Sequence, residues 1–360
     1  MSLSNNTNPK VLLPDEQSIK TEYIVAGVLL ATIGFFGFFL NLLVIVVIIK
    51  DARNLWTPVN VVLLNMVVGD FLVSILGNPL ALTSALNGGW YWHHHICIWY
   101  AWLMSTLGLA SIGNLTVMAI ERWMLITRPM KAFSIRQAIL WSLFVWIYAL
   151  SLSLPPVFGW GSYGPEAENI SCSVSWETHN PETYIGSYIA YLFLFGLIIP
   201  VVVIGSSYGS IILTLRNVKR RIVIIVILGS RRRQENKVTK MVALMIFAFM
   251  IAWTPYSIAA LGAQYFDMKL SPEAAMVPAI LAKSSICYNP IIYAGLNKQF
   301  VLSMKTMFGI QDSRRNMRGI DSTRGVESVT ALSVVKHENK LIIFENKTNQ
   351  NEQQQKDIQL

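Results

Sequence analysis

Lys283 is the residue whose presence is hardest to explain as packing. It stands in Ala279-Ile-Leu-Ala-Lys-Ser-Ser-Ile-Cys-Tyr-Asn-Pro-Ile-Ile-Tyr293, with mostly apolar neighbours on both sides from Met276 to Ile292. An ammonium at the centre of a spanning helix costs about 3 kcal/mol on insertion scales, so an ionisable group there marks a functional site by default. Condensation of the amine with an aldehyde, giving a Schiff base, is chemistry that suits a buried lysine. Two plainer roles stay open: a side chain that snorkels to an interface, or one that pairs with a carboxylate on a neighbouring helix. Depth within the segment disfavours the snorkel. No nucleophile elbow, phosphate loop or zinc spacing accompanies the lysine, so a soluble catalytic site is not indicated.

The elements that must hold such a lysine follow from composition. Of the 360 residues, 53% are hydrophobic and 14% charged, and the mean hydropathy is +0.47. A bilayer core of about 30 Å asks for about 20 apolar residues per helix. Seven stretches meet that demand, near 24–49, 59–86, 96–125, 137–158, 184–213, 238–262 and 272–295. The fold class expected is therefore an all-α membrane protein, a seven-transmembrane helix bundle over 24–295. Residues 1–23 form an N-terminal segment outside the membrane. Pro79, Pro155, Pro156, Pro200, Pro255 and Pro290 fall within the spans and should kink them.

Basic residues set the orientation, because cytoplasmic loops carry the excess of Lys and Arg. The loops after the second and fourth spans have none, and the one after the sixth has only Lys269. Lys50 and Arg53 follow the first span; Arg128, Lys131 and Arg136 follow the third. Arg216, Lys219, Arg220, Arg221, Arg231, Arg232, Arg233, Lys237 and Lys240 lie between the fifth and sixth. A multi-pass protein of the cell membrane is expected, with its N-terminus extracellular and its C-terminus cytoplasmic. The net charge of +9 is then a topology signal with some attraction to anionic membrane lipid, and it gives no support to nucleic acid as a partner. No charged-apolar-small leader is seen at the N-terminus, so the first span should act as its own insertion signal.

That orientation sorts the modification sites. Asn5-Asn-Thr7 is an exposed glycosylation sequon in the right compartment; Asn114 lies within a span, Asn346 is cytoplasmic, and Asn169 is outside but close to Cys172. Of three cysteines, Cys97 and Cys172 are extracellular, where a disulfide would pin the long loop before the fifth span over the mouth of the bundle. Cys287 reads as a small packing residue. The apolar run 222–229 in the third cytoplasmic loop is too short to span; it could extend the fifth helix or dip into the inner leaflet. Beyond Gly309 the chain turns polar, and 310–360 reads as a disordered cytoplasmic tail. Its Ser313, Ser322, Thr323, Ser328, Thr330 and Ser333 are kinase-type acceptors.

From Asn41 to Phe308 the chain resembles the rhodopsin-like G protein-coupled receptors. The motifs arrive in order: Asn41; Leu64-Asn-Met-Val-Val-Gly-Asp70; Glu121-Arg122-Trp123; Trp146; Pro200 and Tyr208; Phe249 and Trp253-Thr-Pro-Tyr256; Asn289-Pro290-Ile-Ile-Tyr293. Lys283 stands six residues before Asn289, which is the spacing of opsins, the retinal-bound light receptors. Asn297-Lys298-Gln299 with Phe300 looks like the start of the short amphipathic eighth helix (296–309) of ciliary-type opsins, near the encephalopsin and teleost-multiple-tissue group.

The resemblance implies retinal on Lys283, 11-cis in the dark and all-trans after light, in a pocket with Trp253 and Tyr256. A buried protonated imine needs a counterion. Many visual pigments place a glutamate three residues after the third-span cysteine, and here Tyr100 stands there. Glu166, six residues before Cys172, matches the older counterion site, with Tyr100 contributing a hydrogen bond. The plainer alternative for Glu166 is a solvated loop acid, since nearby Glu168 shows that acids are not rare in this segment. On the cytoplasmic side, Arg122 beside Glu121 is expected to latch to Glu235, which could equally be a helix-surface acid; Tyr208 and Tyr293 hold the open state around Arg122. Asp70, Asn41, Asn289 and Pro290 belong to an activation network. The implied function is a light-sensing receptor for a heterotrimeric G protein of the inhibitory or transducin-like class, with a receptor kinase and arrestin as further partners. It is not an enzyme. The alternative is a retinal photoisomerase, which would have no need of a transducer surface, and a receptor for a diffusible ligand would leave Lys283 unexplained.

Overall fold

In a computed structural model of the chain, the described residues are 16–166, 168–177, 181–219, 225–310, 332–337 and 340–345. Asn5 and most of the tail, including Ser313, Ser322, Thr323, Ser328 and Thr330, lie outside them. Seven helices are long and apolar enough to cross a membrane: Thr21–Lys50, Pro58–Leu86, His94–Thr127, Ile135–Ser153, Ile185–Asn217, Glu235–Tyr265 and Pro272–Leu296. They are the first to seventh spans below. An eighth helix, Lys298–Met307, follows the seventh.

Local sequence explains where these helices start. Thr57 caps the second span by accepting from the Asn60 amide, with Pro58 at the first helical position. Ser134 and Gln137 form a reciprocal capping box at the fourth, and Ser271 accepts from the Ala274 amide ahead of the seventh, again with proline at the first position. The fourth span is shorter than its apolar run suggested. It ends at Ser153, and Pro155–Phe158 turns as a 3-10 helix, because consecutive prolines remove two helix donors.

Three of the prolines within spans also leave a signature, whereas Pro255 lies in an unbroken α-helix. A wide π turn, Val73–Gly77, precedes Pro79, and another, Leu194–Ile198, precedes Pro200. A tight 3-10 turn, Ser285–Cys287, precedes Pro290. In each case the ring would press on the carbonyl four residues earlier, and the backbone changes its winding there. The last of these turns lies immediately beyond Lys283 and Ser284.

The third span is the axis of the bundle, packed against the second, fourth and fifth. Toward the eighth helix the core contains Val62, Leu63, Met66, Leu115, Met118 and Met245, closed by Tyr293 and Phe300. At the other end Leu30, Ala81, Tyr100, Ile170, Tyr188 and Ile189 pack together. Large apolar residues facing outward, among them Phe35, Phe36, Leu140, Leu143, Val202 and Phe247, are exposed, as a lipid-facing surface requires. Asn114 is buried and accepts from Asn65, which in turn accepts from Trp146, so that sequon is sealed inside the bundle.

Across the Tyr100 end lies a hairpin of β1, Tyr163–Pro165, and β2, Cys172–Val174, paired antiparallel with Pro165 opposite Cys172. The Cys97–Cys172 disulfide is formed, with Cα atoms 5.5 Å apart. Gly161 leads into the hairpin at φ +87, and a Cβ there would fall 2.5 Å from the Tyr188 ring. Only glycine fits. Asn169 is exposed rather than folded in, although Ser171 of its sequon is buried.

The described part of the apolar run 222–229 does not extend the fifth helix: from Ile225 it is continuous with the sixth, Ile225–Tyr265. In the tail, where composition predicts no packed fold, Leu332–His337 (β3) and Lys340–Glu345 (β4) pair antiparallel. Their Val, Ile and Phe content suits strands, yet a lone two-stranded hairpin is not a core.

Candidate functional site: a lysine beneath a carboxyl pair

The hairpin delivers side chains to Lys283. The Glu166 amide donates to the Ser171 carbonyl at 2.9 Å and the Asn169 amide to the Glu166 carbonyl at 2.8 Å, so the chain between the strands folds back on itself. Asn169 takes a left-handed φ of 55°, which asparagine tolerates better than most residues. As a result Glu166, Glu168 and Ser171 converge. The Ser171 hydroxyl lies within hydrogen-bond reach of Glu166 and of Glu168 Oε1, the latter at 2.8 Å.

Lys283 Nζ donates to Ser171 Oγ at 3.0 Å and pairs with Glu166 Oε2 at 3.5 Å. The pair is withdrawn from solvent, with side chains 13% and 8% exposed. From the sixth span the Tyr256 hydroxyl donates to Glu166 Oε1 at 2.6 Å and itself accepts from Trp176 Nε1 at 3.1 Å. Glu166 thus has contacts from three sides. Burial opposes its charge, but the Lys283 ammonium and the hydrogen bonds outweigh burial and hold its carboxyl well below the usual carboxylate range.

Below the lysine lies a cavity of about 190 Å³, with Lys283, Tyr100, Gly108, Trp253, Tyr256 and Phe193 on its wall. Trp253 donates to Ser285 at 3.2 Å and stacks on Phe249. A Cβ on Gly108 would stand 3.1 Å from the Trp253 ring, so the third and sixth spans nearly touch there. The Tyr100 hydroxyl is buried on the same wall, beside Ser171 and near Lys283, Glu166 and Glu168. An amine on the wall of a mostly apolar cavity suits an apolar molecule that ends in an aldehyde.

The sequence reading missed two participants. Glu168, given no role from sequence, is 2% exposed. Ser171, taken only as part of a sequon, is the hinge of the cluster. A signal for both was available in their distance from Cys172, since the disulfide fixes which loop residues lie over the cavity.

Toward the eighth helix, Arg122 is buried between Glu121 of its own helix and Glu235 of the sixth span, whose Oε2 accepts from Nη1 at 3.0 Å. Glu235 therefore pairs with Arg122 and is not merely a surface acid. Neither tyrosine bonds Arg122: Tyr208 donates to the Thr239 carbonyl at 3.1 Å, and Tyr293 packs on Phe300. Asn297 caps the eighth helix by accepting from the Gln299 and Phe300 amides, and Gln299 donates to the Asn54 carbonyl at 2.6 Å. Two of the three residues read as a transducer motif thus anchor the eighth helix, and Lys298 is exposed.

Midway along the bundle Asp70 accepts from Ser111 at 3.2 Å and from Asn289 at 3.0 Å. Asn41 reaches the seventh span through the Ile286 carbonyl at 3.0 Å rather than through Asp70 or Asn289. The carbonyl exposed by the winding before Pro290 is what it binds.

The sequence pattern of the family described as 7 transmembrane receptor (rhodopsin family) matches residues 40–293. The chain is 38% identical over 267 residues to the rhodopsin of Sminthopsis crassicaudata, covering 73% of this chain and 76% of that one. It is 36% identical over 272 residues to the green-sensitive opsin of Gallus gallus, covering 73% and 74%. With the melanopsin of Phodopus sungorus it is 35% identical over 296 residues, 79% of this chain and 61% of that one. Squid rhodopsin has a similar crystal structure, with a TM-score of 0.73 and 25% identity over 86% of this chain and 93% of that one.

Proposed function

This chain belongs to the rhodopsin family of seven-transmembrane receptors and to its light-sensing opsins, and we propose that it senses light through retinal held on Lys283 and passes the signal to a heterotrimeric G protein. The observation that carries this proposal is the Lys283 amine, facing an apolar cavity with Glu166 and Ser171 at its nitrogen. Retinal bound there, 11-cis in the dark and all-trans after light, supplies the absorption of a photon and a change of shape. Glu166 serves as the counterion, stabilising a proton on Lys283 Nζ, and Tyr256 keeps its second oxygen occupied. The hairpin and its disulfide exclude water from above. Trp253 and Gly108 set the width of the cavity between the third and sixth spans.

A shape change against packed walls is answered by a two-state movement of helices. The element that moves is the sixth span, which carries Trp253 and Tyr256 near one end and Glu235 at the other. Its displacement breaks the Arg122–Glu235 pair, and Tyr208 and Tyr293 then take up Arg122. We place the hairpin outside the cell, Lys298 and the latch on the cytoplasmic side, and the chain in the ciliary branch. An inhibitory or transducin-like G protein fits the Asn297-Lys298-Gln299 corner, with a receptor kinase and arrestin acting on the tail.

The test is the dark absorption spectrum of purified protein incubated with 11-cis-retinal, before and after illumination, beside Lys283→Ala. A band that shifts with light and vanishes in the variant is expected. Absence of a band from folded wild-type protein overturns retinal as the ligand; light-independent nucleotide exchange by a partner G protein overturns the signalling role.

A further inference from the structure

Two carboxyls and one cation meet at Ser171. The hydroxyl has a single proton, so it satisfies at most one of Glu166 and Glu168 as a donor, and its lone pair accepts from Lys283. Glu166 is contacted directly by Lys283 and Tyr256, whereas Glu168 meets the cluster at the Ser171 hydroxyl and at the Glu166 carboxyl. Two buried anions against one cation would leave an uncompensated charge, which a proton removes. Among the described residues, the titratable groups near Glu168 are Glu166 on its own loop, Lys283 on the seventh span, and the Tyr23 and Tyr100 hydroxyls on the first and third. No second cation stands among them.

We propose that Glu166, Ser171 and Glu168 form one acid pair that holds a single proton, with Glu168 as its protonated member, so that the pair matches the one positive charge at Lys283. Burial first, and the Glu166 charge second, push the Glu168 carboxyl well above its ordinary range, in agreement with that geometry. A second cavity, of about 210 Å³, is lined by Glu166, Glu168 and Glu177 together with Met268, Ala275 and Pro278, and it shares Glu166, Val174, Trp176, Tyr256 and Ala260 with the inner cavity. Glu168 lines this second cavity and not the lysine's own. Glu168 is a positioning residue, since it acts on Lys283 through Ser171 and Glu166. The inference rests on Lys283 as the site's cation, and that holds with or without retinal.

The experiment is infrared spectroscopy of the full chain in lipid without retinal, wild type against Glu168→Gln, at neutral pH. A protonated-carboxyl C=O stretch present in the wild type and lost in Glu168→Gln, with the ionised-carboxylate stretches unchanged, is expected. Loss of carboxylate stretches instead, or a C=O band whose intensity the substitution leaves undiminished, overturns the proposal. Should Glu168→Gln fail to accumulate, wild-type protein labelled with ¹³C at the glutamate side-chain carboxyl decides: the band must move with the label, which separates it from buried Asp70, and an unmoved band overturns the assignment. Because retinal is absent, this result stands apart from the spectral test of Lys283.

Discussion

At the scale of the residue, the site is a problem of one charge and its neighbours. Lys283 is tolerable in the bundle because Glu166 lies 3.5 Å away and is itself held by Tyr256 and Ser171. Removing one partner of a buried pair leaves the other uncompensated. Glu166→Gln should therefore move the dark absorption of the retinal-loaded protein from the visible to the ultraviolet near neutral pH, as the nitrogen loses its proton; an unchanged spectrum would show the counterion to lie elsewhere. Glu168 adds a dependence of stability on pH. Its carboxyl is raised in the folded protein, so its contribution is complete below the unfolded value of about 4.3 and is lost as pH rises through the folded value. Glu166, held low, contributes in the opposite sense: its share is present above about pH 4.3 and lost only in stronger acid. Thermal midpoints in detergent should fall as pH is raised from about 5, with a shallower slope in Glu168→Gln. An equal slope would contradict the raised carboxyl.

At the scale of the element, the sixth span joins the two ends of the molecule. Its Trp253 and Tyr256 lie on the cavity and its Glu235 on Arg122. The Glu235 side chain is 34% exposed, and a pair so placed contributes in the range of roughly 0.2 to 1 kcal/mol. Glu235→Gln should raise nucleotide exchange in the dark by no more than about fivefold, the factor that corresponds to the upper end of that range, without altering the absorption band. A shifted band would mean that the substitution disturbs the cavity and not the latch alone. The winding before Pro290 has a comparable role in the seventh span, since it presents the Ile286 carbonyl to Asn41 just past the lysine.

At the scale of the whole molecule, the hairpin closes one end of the bundle and is tied to the third span by Cys97–Cys172. Loss of a native disulfide commonly costs about 2 to 5 kcal/mol in small secreted domains. Here the sharper consequence is local, because Ser171 and the two glutamates depend on that tie for their position over Lys283. Cys97→Ser with Cys172→Ser should reduce the yield of retinal-loaded protein and speed the attack of hydroxylamine on the lysine linkage in the dark. Equal resistance in the variant would show that the strand pairing alone seals the cavity.

The sequence by itself determined the seven spans, the buried lysine and the order of the motifs, because each rests on local quantities: apolar length, the cost of a charge in hydrocarbon, and fixed spacing along one helix. It also placed Glu166 in the loop over the bundle and named the Arg122–Glu235 pair as one of two options. Only the tertiary structure decided that option and attached the run from Ile225 to the sixth helix. Only the tertiary structure, too, buried Glu168 beside Glu166 and made Ser171 the hinge between two carboxyls and an amine. Those outcomes depend on how a loop folds back across four helices, and neither hydropathy nor periodicity along the chain encodes which side chains a loop brings together.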